Sequence, residues 1–199
     1  MSDASGREKE SGAVCRDGPR PTVGPCPASH PRLPTPSPPL SSAGVLPTLV
    51  LGIGNILLSD EGVGVRVIEA MAGLDVPPGV ELVDGGTSGA DLVDLIADRR
   101  KLIVVDAMDA GAEPGTVFRL GPDDLAPDEG EPISLHQLGL VESLLIARCL
   151  KCPPQEVVIF GVQPKAIRPG LELTSELAAV VPQVIRAVLE ELGTPGPYP

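Results

Sequence analysis

The chain has 199 residues, enough for one ordinary domain and a tail, and 42% of them are hydrophobic. Phe118, Phe160 and Tyr198 are its only aromatics and it has no Trp, so any core must be aliphatic. The net charge of -12 divides into +1 over residues 1–45 (five basic, four acidic) and -13 over the rest (ten basic, twenty-three acidic), which excludes nucleic acid and anionic membrane surfaces as expected partners.

Residues 1–45 hold nine of the 24 prolines, mixed with Ser, Gly and charge and without periodicity. Such a segment buries too little apolar surface to offset chain entropy and reads as a disordered Pro-rich tail before one domain over 46–199. Folding is expected to need nothing before about Leu46. The N-terminal charges are not followed by the apolar segment of a signal peptide. No run approaches the roughly 18 to 20 apolar residues that cross a bilayer. The expectation is a cytoplasmic protein, with a monomer as the default. Cys15, Cys26, Cys149 and Cys152 do not suggest a disulfide framework in a chain of this size.

From Leu46 strands and helices alternate. Leu49–Gly52 is a short apolar run, followed by a Gly-rich turn and by Val63–Ala72 at helical spacing. Val80–Val83 reads as a second strand ending at Asp84-Gly85-Gly86-Thr87, and Ala90–Ala97 as a helix. Leu102–Val105 is a buried strand ending on Asp106; Thr116–Leu120 is a fourth strand, at an edge. An acidic loop over 121–132 leads to a helix over Leu138–Leu150, a fifth strand over Val157–Val162 and a closing helix over Ser175–Leu192. Apolar strands alternating with amphipathic helices predict an α/β three-layer sandwich: a twisted, mainly parallel five-stranded sheet with helices on both faces.

Ligands of an open parallel sheet bind outside the carboxyl ends of its strands. Three acidic features fall there: Asn55 to Glu61 after the first strand, Asp84–Thr87 after the second, and Asp106 on the third. Each has an ordinary explanation as a turn former or N-cap. A dinucleotide site fits poorly, because Leu57 stands where the fingerprint that begins Gly52-x-Gly54 needs its third glycine, and the acidic pair Asp60-Glu61 follows. His136 is the sole imidazole of the domain and stands just before a helix. It is either a helix-start residue bonded to backbone or the nitrogen partner of Glu61 and Asp106 in an oxygen, oxygen, nitrogen ligand set. Such a set suits nickel, zinc or iron and leaves positions open for substrate. Spacing alone does not choose. Cys149-x-x-Cys152 has metal-like spacing but no second pair, and Pro153-Pro154 follows it directly.

The string from Gly52 to Val65 (GIGNILLSDEGVGV), Asp84-Gly85-Gly86-Thr87, the strand-end Asp106 and His136-Gln-Leu-Gly-Leu140 together resemble the [NiFe]-hydrogenase maturation endopeptidases. The resemblance spans about Leu49 to Leu192, with four motifs in order. It implies a twisted sheet between helices and cleavage of a C-terminal extension from the hydrogenase large-subunit precursor after nickel insertion. It implies further that Glu61, Asp106 and His136 contact the metal and serve catalysis, that the nickel comes with the precursor, and that Asp84, Gly85, Gly86 and Thr87 take part in substrate recognition. The resemblance supplies no counterpart for the tail or for the Cys149/Cys152 pair. Two rivals keep some of these features: a non-catalytic nickel-dependent chaperone of the large subunit, and a general peptidase on a similar scaffold.

Overall fold

The computed structural model describes residues 48–88, 92–125 and 135–193, with the side chains of 125 and 135–138 outside the description. The tail expected over 1–45 lies outside the described residues, as does most of the acidic loop.

Five strands form one sheet in the order β2-β1-β3-β5-β4. They are β1 (Thr48–Ile53), β2 (Val80–Gly86), β3 (Leu102–Ala107), β4 (Val117–Leu120) and β5 (Val157–Val162). β1, β2, β3 and β5 pair in parallel, while β4 runs antiparallel to β5 and forms an edge. The helices are α1 (Val63–Met71), α2 (Leu92–Ile96), α3 (Leu135–Cys149) and α4 (Ser175–Glu191). Short 3-10 turns lie at Asp60–Gly62 and Pro122–Leu125.

Side-chain alternation along the strands builds two cores. Val50, Ile103, Val105, Val158 and Phe160 pack with α1 and α4 on one face. Leu49, Leu51, Leu102, Val104 and Ile159 pack with α2 and α3 on the other. β1 and β3 are buried along their whole length, which is why both read as unbroken apolar runs. The three-layer α/β architecture is the expected one. Among the described residues no helix is long and apolar enough to cross a membrane.

Several boundaries moved. β2 continues through Asp84 and Gly85 to Gly86 rather than ending at Val83, with a register irregularity where Gly52 faces Asp84 and Ile53 faces Gly86. β3 runs one residue past Asp106. α3 begins at Leu135, so His136 is the second residue of the helix rather than a residue before it.

Candidate active site

The chain leaves β1 toward β2 on one side and returns to β3 on the other. The topological switch therefore falls between the carboxyl ends of β1 and β3, the position where such sheets open a crevice. Glu61 and Asp106 both belong to it.

Glycine brings the β1 exit loop down onto that junction. A Cβ on Gly64, at the start of α1, would lie 2.2 Å from the Val105 carbonyl oxygen and 2.3 Å from that of Ile53. α1 therefore starts in backbone contact with both strand ends. Gly54, with φ of 140°, lies directly under Glu61: a Cβ there would stand 1.9 Å from the Glu61 carbonyl oxygen. The glycines that resembled half of a nucleotide fingerprint thus serve close packing of loop, helix and sheet. Within the loop, the Asn55 side chain accepts the Leu57 N–H at 3.0 Å and the Asn55 carbonyl accepts the Leu58 N–H at 3.0 Å. The 3-10 turn over Asp60–Gly62 then presents Glu61.

Asp106 is 3% exposed. One carboxylate oxygen accepts the N–H of Ala107 at 2.8 Å, and the other, Oδ2, is buried without a hydrogen-bond partner among the described residues. Burial pushes this carboxyl up to about 8; the Ala107 N–H opposes the rise and the nearby Glu61 charge adds to it. Two carboxyl groups are thus held close together at the switch point, one of them desolvated, an arrangement that favours a cation or a shared proton. By strand alternation Asp106 falls with Leu102 and Val104 on the face that α2 and α3 cover. The C-terminal end of α3 lies by the strand starts, where Cys152, just past the helix, accepts the Asp98 N–H. Its first turn, with His136, therefore lies toward the carboxyl edge. The side chain of His136 is outside the described residues. Among those described, no three His, Cys, Asp or Glu side chains gather as a metal-holding group.

The Asp84–Thr87 motif flanks this crevice on the β2 side. Asp84 Oδ1 accepts the Gly86 N–H at 2.8 Å, and the Gly86 carbonyl accepts the Gly54 N–H at 2.8 Å, which ties the motif to the β1 loop. Asp84 and Thr87 are exposed, and Gly85 is buried against Leu51.

Sequence reasoning passed over Asp60, the neighbour of Glu61. It is 0% exposed, and its carboxylate accepts the N–H groups of Lys165, Ala166 and Thr174 at 3.0, 2.9 and 2.7 Å and the Thr174 hydroxyl at 3.0 Å. This carboxylate fastens the loop of Glu61 to the loop between β5 and α4. Gln163, also passed over, orders the segment after β3: its Oε1 accepts the N–H groups of Ala110 and Ala112 and its Nε2 donates to Asp109. Cys149 and Cys152 are free thiols near the amino edge of the sheet, away from the crevice. A cleft of about 600 Å³ between α3 and the start of β5, lined by Leu144, Arg148 and Pro154, also lies at that edge.

A family model described as hydrogenase maturation protease matches residues 65–191, a stretch that includes Asp106 and His136 and begins just after Glu61. The chain is 37% identical over 150 residues to the hydrogenase 2 maturation protease of Escherichia coli K12, covering 74% of this chain and 92% of that protein. It is 39% identical over 147 residues to the hydrogenase expression/formation protein HupD of Rhizobium leguminosarum, covering 72% and 73%. Among solved structures, the hydrogenase maturating endopeptidase HybD from E. coli superposes with a TM-score of 0.68 at 37% identity, over 74% of this chain and 92% of that one.

Proposed function

The chain belongs to the hydrogenase maturation protease family, and we propose that it removes the C-terminal extension of a [NiFe]-hydrogenase large-subunit precursor after nickel insertion. As a member of that family it is a hydrolase, an endopeptidase. On this reading Glu61, Asp106 and His136 complete the coordination of the nickel that the precursor presents. The metal is then the recognition element: a precursor without it offers these ligands nothing to bind.

The observation that carries the reading is Asp106. A buried carboxyl with one oxygen unpartnered among the described residues, close to a second carboxylate at the switch point, ionises only at a cost unless a cation arrives. Nickel brought by the substrate meets that need, and His136, in the first turn of α3, offers the nitrogen that nickel favours. Held there, the metal would polarise the scissile carbonyl or activate a water, with a carboxylate of the site available as base. On the same reading Asp84 and Thr87, both exposed, take part in recognising the precursor. The same reading keeps the expectation of a cytoplasmic monomer. Membership of a protease family favours it over a non-catalytic chaperone.

The test is to incubate the chain with purified precursor, nickel-loaded and nickel-free, and follow the shift in precursor mobility on a gel. Cleavage of the loaded form alone is expected. Equal cleavage of both would remove nickel from recognition, and binding without any cleavage would restore the chaperone reading.

A further inference from the structure

Large aliphatic side chains cluster in solvent on the two loops that Asp60 joins: Leu57 is 61% exposed, Ile167 52% and Leu171 58%. None belongs to either core. Their backbones are fixed rather than slack. The Leu57 carbonyl accepts the Gly170 N–H at 2.9 Å, the Gly170 carbonyl accepts the Ser59 N–H at 2.9 Å, and Ser59 pairs with Ile167 in a short antiparallel bridge. Arg66 donates to the Leu171 carbonyl at 2.7 Å from the α1 side. Two loops from distant parts of the chain are therefore stitched into one ledge with aliphatic side chains outward, and Glu61 follows Leu57 by four residues on it.

A fold gains nothing by holding such side chains in water on a rigid backbone, and a contiguous exposed apolar patch marks a contact surface. An endopeptidase must seat an extended stretch of its substrate on either side of the bond it cuts. The geometry points to the Leu57–Ile167–Leu171 ledge as the seat for apolar side chains of the precursor peptide next to the scissile bond, an inference that rests on the function proposed above. The ledge is continuous with the loop of Glu61, so a peptide whose cleaved bond lies at Glu61 must pass over or beside it. The domain around it carries -13 (ten basic against twenty-three acidic residues beyond residue 45), which disfavours an acidic peptide there. Exposed Arg168, between Ile167 and Gly170, adds a local positive charge to the apolar surface.

The experiment compares the wild type with Leu57→Ser/Ile167→Ser/Leu171→Ser in steady-state cleavage of nickel-loaded precursor, with thermal melting as a check on folding. The triple variant should melt like the wild type and raise KM about tenfold while kcat stays within about twofold, the pattern of lost ground-state binding. The conservative set Leu57→Met/Ile167→Leu/Leu171→Met should restore KM. If the triple variant melts early, Leu171→Ser alone takes its place. An unchanged KM overturns the ledge. So does a wild-type dimer in sedimentation that the triple variant dissolves without a change in KM, because the occupant is then a second copy. Glu61→Gln separates the two claims. Full cleavage by that variant defeats the proposed site whatever the ledge does, whereas an inactive Glu61→Gln beside an unchanged KM in the triple variant defeats the ledge alone.

Discussion

Asp60 accepts both the backbone N–H and the hydroxyl of Thr174, at 2.7 and 3.0 Å, and this pair fastens the Glu61 loop to the entry of α4. With the Lys165 and Ala166 N–H groups on the same carboxylate, three backbone donors depend on one buried side chain. Asp60→Ala should therefore cost about 3–5 kcal/mol of stability, and Thr174→Val, which loses only the hydroxyl bond, about 1 kcal/mol. Urea unfolding checks both, and an Asp60→Ala variant as stable as the wild type would contradict the role of this carboxylate.

Gly64 should tolerate no side chain. The atoms a Cβ would meet, at 2.2 and 2.3 Å, are carbonyl oxygens of β3 and β1 that cannot swing away. Gly64→Ala is expected to cost about 3 kcal/mol or more. Gly73, just past α1, has open space where its Cβ would be, and Gly73→Ala should lie within about 1 kcal/mol of the wild type. Melting temperatures of the two variants test the contrast.

A cluster of ion pairs beside α4 gives a pH dependence with a definite sign. Lys101 donates to Glu191 at 2.6 Å and to Glu156 at 2.9 Å, and Arg119 donates to the other Glu191 oxygen at 2.9 Å. The bond from Arg119, and after it that from Lys101, hold the Glu191 carboxyl below its usual value against the effect of burial. Burial pulls Lys101 down, but its bonds to Glu191 and Glu156 outweigh that and hold it above its usual value. The carboxylate contribution is thus present above the ordinary Glu range and lost as pH falls through the lowered value. The ammonium contribution is present below the ordinary Lys range and lost as pH rises through the raised one. Glu191→Gln should cost about 1 kcal/mol on the plateau between, with the gap to the wild type closing in acid, as melts across pH will show.

Asp106→Asn should separate stability from function. The Ala107 N–H keeps an acceptor, and the cost of burying a carboxyl that is ionised in the unfolded chain at neutral pH disappears. We expect the variant to melt at or above the wild-type temperature at neutral pH and to lose about a hundredfold or more in precursor cleavage. A marked fall in melting temperature with cleavage intact would make Asp106 a structural residue.

Much of the fold was legible because β1, β3 and β5 lie between two layers of helix and need apolar residues on both faces, so their runs stand out whatever the register. Boundaries failed where that signal lapses. Asp84-Gly85-Gly86 reads as a turn, yet pairing with Gly52 and Ile53 holds it in β2. The polar start of α3 likewise hid three helical residues, His136 among them. The acidic character of the strand ends drew attention to Glu61 and Asp106. Which of the adjacent acids Asp60 and Glu61 is buried is decided by donors more than a hundred residues away, at Lys165, Ala166 and Thr174, and no local pattern records them. The ledge of Leu57, Ile167 and Leu171 was invisible for the same reason, since it exists only once the two loops pair.

The central claim is that the Glu61 carboxylate takes part in nickel-dependent cleavage of the precursor. The direct measurement is the intact mass of nickel-loaded precursor after incubation with the wild type or with Glu61→Gln, which keeps the size of the side chain and removes its charge. The account predicts a precursor shortened at its C-terminus by the wild type and left at full mass by a Glu61→Gln variant that melts normally. Shortening by Glu61→Gln at the wild-type rate would contradict it.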